Sequence, residues 1–182
     1  MANDSIPAGL LRELPFTLTD ETKRTYLRRC YTYAKKHSPD PSTQNGACLV
    51  APNQGIVCFG ANHFPKGVEN TEERWQRPLK YKLVAHAETN AIFAAARLGI
   101  ATNGLVMICP WFACCECGKA IIQSGITKVI GHKKIYDATP EHWKESIALA
   151  FTMFEEAGVE TELIEGDLGG DSIRLNGETF QP

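Results

Sequence analysis

Two short patterns in the chain carry chemistry: His86-Ala87-Glu88 and Cys114-Cys115-Glu116-Cys117. Zinc at a catalytic centre commonly takes three nitrogen or sulfur ligands and leaves a fourth position for water. His86, Cys114 and Cys117 supply such a set. Cys114 and Cys117 are three residues apart, so a helix starting there carries both sulfurs on one face and Cys115 on another. The positive end of that helix also favours thiolates. Glu88, two residues beyond the histidine, is placed to exchange protons with a water at the metal rather than to bind the metal itself. The chemistry implied is hydrolytic. Either pattern alone is weak; context must confirm it. Here both fall where a helix begins, and one strand links the two helices.

The elements that must position these residues follow from punctuation and periodicity. The Ala-rich run from His86 to Leu98, with Gly99 just beyond, predicts a helix closed by a C-terminal glycine. Leu105 to Cys109 reads as a buried strand, Cys114 to Ser124 as a short helix with Ile121 and Ile122 inward, and Ile126 to Ile130 as another strand. Upstream, Thr19 or Asp20 caps a first helix with Leu27, Cys30 and Ala34 on its buried stripe, ended by Ser38-Pro-Asp-Pro-Ser. Gly46 to Ala51 and Gly55 to Gly60, joined by Pro52-Asn-Gln, predict a β-hairpin. Ala61 to Leu83 carries Pro65, Gly67, Pro78 and many charges and is expected to be a long binding loop. Pro140 opens a helix to Ala157, stopped by Gly158, and Val159 to Ile164 forms a last strand. The order α-β-β-α-β-α-β-α-β predicts one three-layer α/β/α domain over residues 1–182, with a five-stranded mixed sheet and a core at about 20–165. The acidic, Gly-rich tail 166–182 shows no clear period and is expected to pack late or not at all.

The His-x-Glu and Cys-x-x-Cys pair resembles the zinc signature of the cytidine deaminase superfamily. Other blocks bring the resemblance closer to deoxycytidylate (dCMP) deaminases: Gln44-Asn-Gly-Ala-Cys48, Gly60-Ala-Asn62 followed by Pro65, His86-Ala-Glu-Thr-Asn-Ala-Ile92, Cys114-Cys-Glu-Cys-Gly-Lys-Ala-Ile-Ile-Gln-Ser-Gly-Ile126, and Tyr136-Asp137. The resemblance implies one zinc per chain on His86, Cys114 and Cys117, and proton transfer by Glu88 during hydrolysis of dCMP to dUMP and ammonia. It further implies that Asn62 bonds the sugar and that the Ala87 amide holds the pyrimidine carbonyl. For the phosphate, Lys133, Lys134 and Tyr136 compete with Arg74, Arg77 and Lys80; Arg matches phosphate bidentately. Trp75 is either a lid residue or an anchor for its loop. One departure is Ala113, where the family usually has Pro directly before the first zinc cysteine; Trp111 and Phe112 are the residues available to compensate. Members of the family are commonly homo-oligomers, dimers or hexamers, activated by dCTP and inhibited by dTTP, with Mg2+ accompanying a nucleotide effector. The stretch His63-Phe-Pro-Lys-Gly-Val68 matches the effector-associated pattern only in part, so regulation stays unassigned.

Composition bounds these readings. A formal net charge of −2 over 182 residues argues against a protein that coats nucleic acid, because such binding needs many Lys and Arg on phosphates. The basic residues of the first helix, Lys23, Arg24, Arg28, Arg29, Lys35 and Lys36, read as a solvated face, or else as a surface for an acidic partner. The longest apolar run, Leu105 to Cys115, is broken by Pro110 and is shorter than the roughly 18 residues of a membrane span. Seven cysteines, an odd count, with neither an apolar signal core nor an Arg-rich transit bias in Met1 to Glu13, point to a reducing cytoplasm. Cys30, Cys48 and Cys58 are expected in the core, and Cys109 and Cys115 stand beside the site without a settled role. Two competing readings differ in class. One is a deaminase of modified dCMP, cytidine, guanine or tRNA adenosine, separated by a substrate screen. The other is a non-catalytic zinc-binding module, which would bind zinc and turn over no nucleotide.

Overall fold

The computed structural model describes residues 18–182, and the expectation drawn from residues 1–13 lies outside them. Helix α1 (Asp20–His37) starts at Thr19, whose Oγ1 accepts the Thr22 amide at 3.2 Å, and buries Leu27, Cys30, Tyr31 and Ala34. Strands β1 (Gly46–Ala51) and β2 (Gly55–Ala61) form the expected antiparallel hairpin. The segment expected as an irregular loop is more structured than its charge and prolines suggest. It contains a 3-10 turn (Glu72–Trp75) and helix α2 (Leu79–Leu83), and paired amide-to-carbonyl bonds between His63 and Ala85 close its base. Phe64 stacks on Trp75 at 4.1 Å between centroids, so Trp75 anchors this segment.

Helix α3 (Ala87–Leu98) ends at Gly99, whose φ of +69° suits glycine. There follow β3 (Val106–Ile108), α4 (Cys115–Gln123), β4 (Lys128–His132), the short α5 (Lys133–Asp137), α6 (Glu141–Ala157) and β5 (Glu160–Ile164). The sheet order is β2-β1-β3-β4-β5, with β1 antiparallel to both neighbours and β3, β4 and β5 mutually parallel. Helices α3, α4 and α6 pack on one face through Ala91, Ala95, Ile121, Ile147 and Phe154; α1 and α5 pack on the other through Leu27, Tyr31 and Ile135. The architecture is therefore the predicted three-layer α/β/α arrangement with a mixed five-stranded sheet.

The tail departs from expectation. Strands β6 (Ile173–Leu175) and β7 (Glu178–Phe180) form a hairpin, and Leu168, Ile173 and Leu175 are buried in the same core as α1. Its Asn176-Gly177 turn has φ of +53° and +89°, the left-handed pair that a two-residue hairpin requires. Apolar residues alternating with polar ones about that turn drive the packing despite the segment's acidic, Gly-rich composition.

Two consequences for stability follow. At Gly60, on β2 beneath α3, an added Cβ would lie 2.2 Å from the Ala87 carbonyl oxygen and 2.3 Å from the Ala91 amide nitrogen. Gly60→Ala must push α3, and with it residues 86–88, off the sheet. We expect a cost of about 2–3 kcal/mol and a fall in Tm of about 5–10 °C, with weakened activity, read by thermal melting and turnover. His132 at the end of β4 is fully buried. Its Nε2 donates to the Gly166 carbonyl at 2.9 Å, so Nδ1 of the neutral ring accepts the Tyr31 hydroxyl at 2.8 Å. Burial holds this imidazole below its ordinary 6.5, outweighing the opposing pull of the Gly166 carbonyl. The unfolded chain therefore takes up the proton first as pH falls. The contribution of His132 is complete above 6.5 and is lost as pH drops through the lower folded value. Thermal midpoints measured across that window should fall more steeply for the parent than for His132→Gln.

Candidate active site

The parallel βαβ unit directs the carboxyl end of β3 into the turn 109–113 and then into the N-terminus of α4, the usual place for a site in such sheets. Helix α3, lying beside α4, brings its own N-terminus to the same point. Cys114 caps α4 and His86 caps α3, both in extended conformation. The Nδ1 atom of His86 lies 3.5 Å from Cys114 Sγ and 3.4 Å from Cys117 Sγ. These ligand atoms all fall within 4.8 Å of one another. A tetrahedral zinc with ordinary Zn–N and Zn–S bonds separates its nitrogen and sulfur ligands by about 3.5 Å, so the donor set and its spacing fit that metal. Cys115 points elsewhere. Its Sγ accepts the Ser146 hydroxyl of α6 at 3.2 Å, and its amide donates back to Ser146 Oγ at 3.1 Å.

The electrostatics suit a cation between the sulfurs. The Cys117 thiol, and after it the His86 imidazole, hold Cys114 well below the ordinary thiol range; the same shared proton, with burial, pushes Cys117 up. Metal binding would remove that proton. Glu88 is only 3% exposed, and burial pushes its carboxyl up to about 7 against the downward pull of His86. A carboxyl so placed both accepts and releases a proton near neutrality.

Around this cluster lies a cleft with about 600 Å³ of space, part of it open to solvent. His86, Ala87, Glu88 and Cys114 form its inner end, and the 61–85 segment contributes Asn62, Arg77, Lys80, Tyr81 and Val84. Arg77 stands exposed and makes no ion pair among the described residues; its Nη2 donates to Asn176 Oδ1 at 3.2 Å and approaches Ser42 Oγ at 3.5 Å. Lys80 is buried in an ion pair with Asp40, 2.8 Å between Nζ and Oδ2. Lys134 and Tyr136 are not among the cleft's residues: Lys134 pairs with Asp167 on the surface, and Tyr136 packs edge-on against Phe151. Helix α5 turns them away, so the expectation that they meet a phosphate is corrected. Arg74 likewise reaches Glu69 rather than the cleft.

Asn62 lines the cleft, but its side chain is fully engaged inside the protein. Oδ1 accepts the Ser38 hydroxyl and the Asn45 amide, both at 2.7 Å, while Nδ2 donates to Asp40 Oδ2 and the Thr43 carbonyl. Its geometry makes it a brace between the 38–45 segment and β2.

Sequence reasoning did not single out Trp143, Asn45, Thr43 or Asp40, all of which line the cleft. Trp143 meets Tyr81, His86 and Trp111 edge-on at about 6 Å. A signal was present: Trp143 continues the Ile147–Ala150–Phe154 stripe of α6 one turn beyond the core. The turn before Cys114, which lacks the usual Pro, is held by Phe112 stacked on Phe151 at 4.2 Å and by Trp111 Nε1 donating to Thr139 Oγ1 at 3.0 Å. The Cys109 thiol closes the same turn on the Trp111 carbonyl at 2.9 Å.

Comparison with known proteins agrees with this geometry. Residues 20–133 match the family model described as the cytidine and deoxycytidylate deaminase zinc-binding region. The chain is 37% identical over 130 residues to the deoxycytidylate deaminase of Mus musculus, covering 68% of this chain and 69% of that protein. It is 37% identical over 131 residues to an uncharacterized deaminase from the luxG 3′ region of Aliivibrio fischeri, covering 72% and 86%. Among solved structures, dCMP deaminase from the cyanophage S-TIM5 in complex with dCMP and dUMP superposes with a TM-score of 0.63 at 25% identity, over 81% of this chain and 100% of that one. The chain belongs to the zinc-binding cytidine and deoxycytidylate deaminase family.

Proposed function

We propose that the protein hydrolyses dCMP to dUMP and ammonia at the cleft. The observation that carries the reading is the joining, in one cavity, of the His86, Cys114 and Cys117 cluster with the buried Glu88 at its inner end and, at its mouth, the Arg77 guanidinium, which makes no ion pair among the described residues. The first set suits hydrolysis of a ring amine; the second suits an anionic group on the same substrate.

His86, Cys114 and Cys117 would hold the metal. Zinc there supplies the Lewis acidity that makes water a nucleophile near neutral pH. Glu88 accepts a proton from the attacking water and delivers it to ring N3, then carries a second proton to the leaving amine, so that cytosine and water become uracil and ammonia. The Ala87 amide, at the first turn of α3 where a helix offers no carbonyl to accept it, would donate to the pyrimidine carbonyl, the role the family resemblance implies. Trp111, Trp143 and Tyr81 wall the cleft with aromatic surface and exclude water from the ring. Arg77 receives the phosphate.

The test is ammonia release by the zinc-loaded protein from dCMP, CMP, cytidine, cytosine, guanine and 5-substituted dCMP. The expected result is the highest kcat/KM on dCMP. Turnover confined to an unphosphorylated base or nucleoside would overturn the phosphate assignment, and turnover of none would overturn the reading.

A further inference from the structure

The tail beyond β5 reaches the cleft that the preceding elements build. The tip of the β6–β7 hairpin docks on residues 42–44: the Gly177 amide donates to the Ser42 carbonyl at 2.7 Å, and the Asn176 amide to Thr43 Oγ1 at 3.1 Å. Along β6 the Gln44 amide donates to the Arg174 carbonyl at 2.9 Å, and the Arg174 amide returns to Gln44 Oε1 at 3.2 Å. Thr43 is itself a cleft residue, so the hairpin backs one wall directly. The Asn176 side chain goes further, since its Oδ1 accepts from Arg77 Nη2.

An exposed arginine samples many rotamers, and ordering it costs affinity when it must bind. Arg77 is restrained on three sides: its Nη2 donates to the Asn176 carboxamide at 3.2 Å and, at a longer 3.5 Å, to the Ser42 hydroxyl, and the guanidinium carbon lies 5.7 Å from the centroid of the Tyr81 ring. All three partners are neutral, so none cancels the charge, and among the described residues most of its five N–H donors stay free for an anion. We propose that Asn176 is a positioning residue of the nucleotide site, holding the Arg77 guanidinium at the cleft mouth to receive the 5′-phosphate of the substrate. This makes the C-terminal hairpin a working part of the cleft, and it rests on the reading of that cleft as a nucleotide site.

Asn176→Gly is the informative variant, because glycine keeps the left-handed turn and the backbone bonds while deleting the carboxamide. The zinc-loaded parent, Asn176→Gly, Arg77→Ala and the double variant are compared on dCMP and deoxycytidine by steady-state kinetics, and on dUMP and deoxyuridine by calorimetry. With Asn176→Gly, KM for dCMP should rise about three- to tenfold with kcat within about twofold, and dUMP should bind more weakly by the same factor. Deoxycytidine and deoxyuridine should be unaffected, and the effect should vanish in the Arg77→Ala background. Equal losses with and without the phosphate, an undiminished loss in that background, or no change at all would each overturn the proposal. Failure of the parent to deaminate dCMP would refute the deaminase reading alone, since weaker binding of dUMP but not deoxyuridine by Asn176→Gly would still support the positioning role. A parent that neither deaminates dCMP nor binds dUMP would overturn both.

Discussion

Glu88→Gln should lower kcat by about 10³–10⁴-fold while leaving one zinc per chain bound. Glutamine matches glutamate in size and fits the same buried position, so the substitution changes proton chemistry and little else. An amide cannot take a proton from water or pass one to N3 and the departing amine, and both transfers fall to this one group in the proposed reaction. In the metal-free chain burial makes this carboxyl costly to ionise, a cost the neutral amide does not carry, so Tm of the zinc-free protein should hold or rise slightly. The experiment pairs metal analysis with single-turnover kinetics on dCMP. Turnover within tenfold of the parent would remove Glu88 from the mechanism. Loss of zinc would instead make it a ligand.

The inner end of the cleft was legible in the sequence because its residues sit where local rules are strongest. Gly99 and Gly158 mark helix ends by backbone conformation, and the spacing of Cys114 and Cys117 implies a shared face whatever the tertiary context. The outer walls were legible only in part, for the converse reason. Arg77 was a candidate from its charge alone, but Asp40 and Asn45 come from the 38–45 segment and Trp143 from α6, and only the packing of α6 and the 61–85 segment against the sheet brings them together. Asn62 shows what neither spacing nor resemblance could supply: the resemblance implies a sugar contact, yet four partners from residues 38–45 bind its amide. Helix α5 has five residues and begins directly from β4 without a side-chain cap, so nothing local announces it, and it decides that Lys134 and Tyr136 face away. For the tail, composition obscured a pattern that was present. Asn176-Gly177 lies between Ile173-Arg-Leu and Glu178-Thr-Phe, a hairpin signal with the apolar residues on one face.

The cysteines give the sharpest contrast, because three of them lie within four residues and the geometry gives them different tasks. Cys114→Ser and Cys117→Ser should each weaken zinc binding by about 10²–10³-fold, roughly one ligand's share of the affinity of such sites, and abolish turnover. Cys115→Ser should retain both, since its sulfur faces Ser146 on α6 and serine preserves a hydrogen-bonding partner there. Stability reads the same distinction without any substrate. Zinc bound only to the folded state raises the parent's Tm in proportion to the logarithm of free zinc, so a chelator should lower Tm and added zinc restore it. Cys115→Ser should follow the parent. Cys114→Ser and Cys117→Ser should respond far less to the chelator at the same free zinc, by the two to three decades of affinity they lose. If Cys115→Ser lost the zinc response while Cys117→Ser kept it, the pair that holds the metal would be different, and the facing of α4 toward His86 would have to change with it.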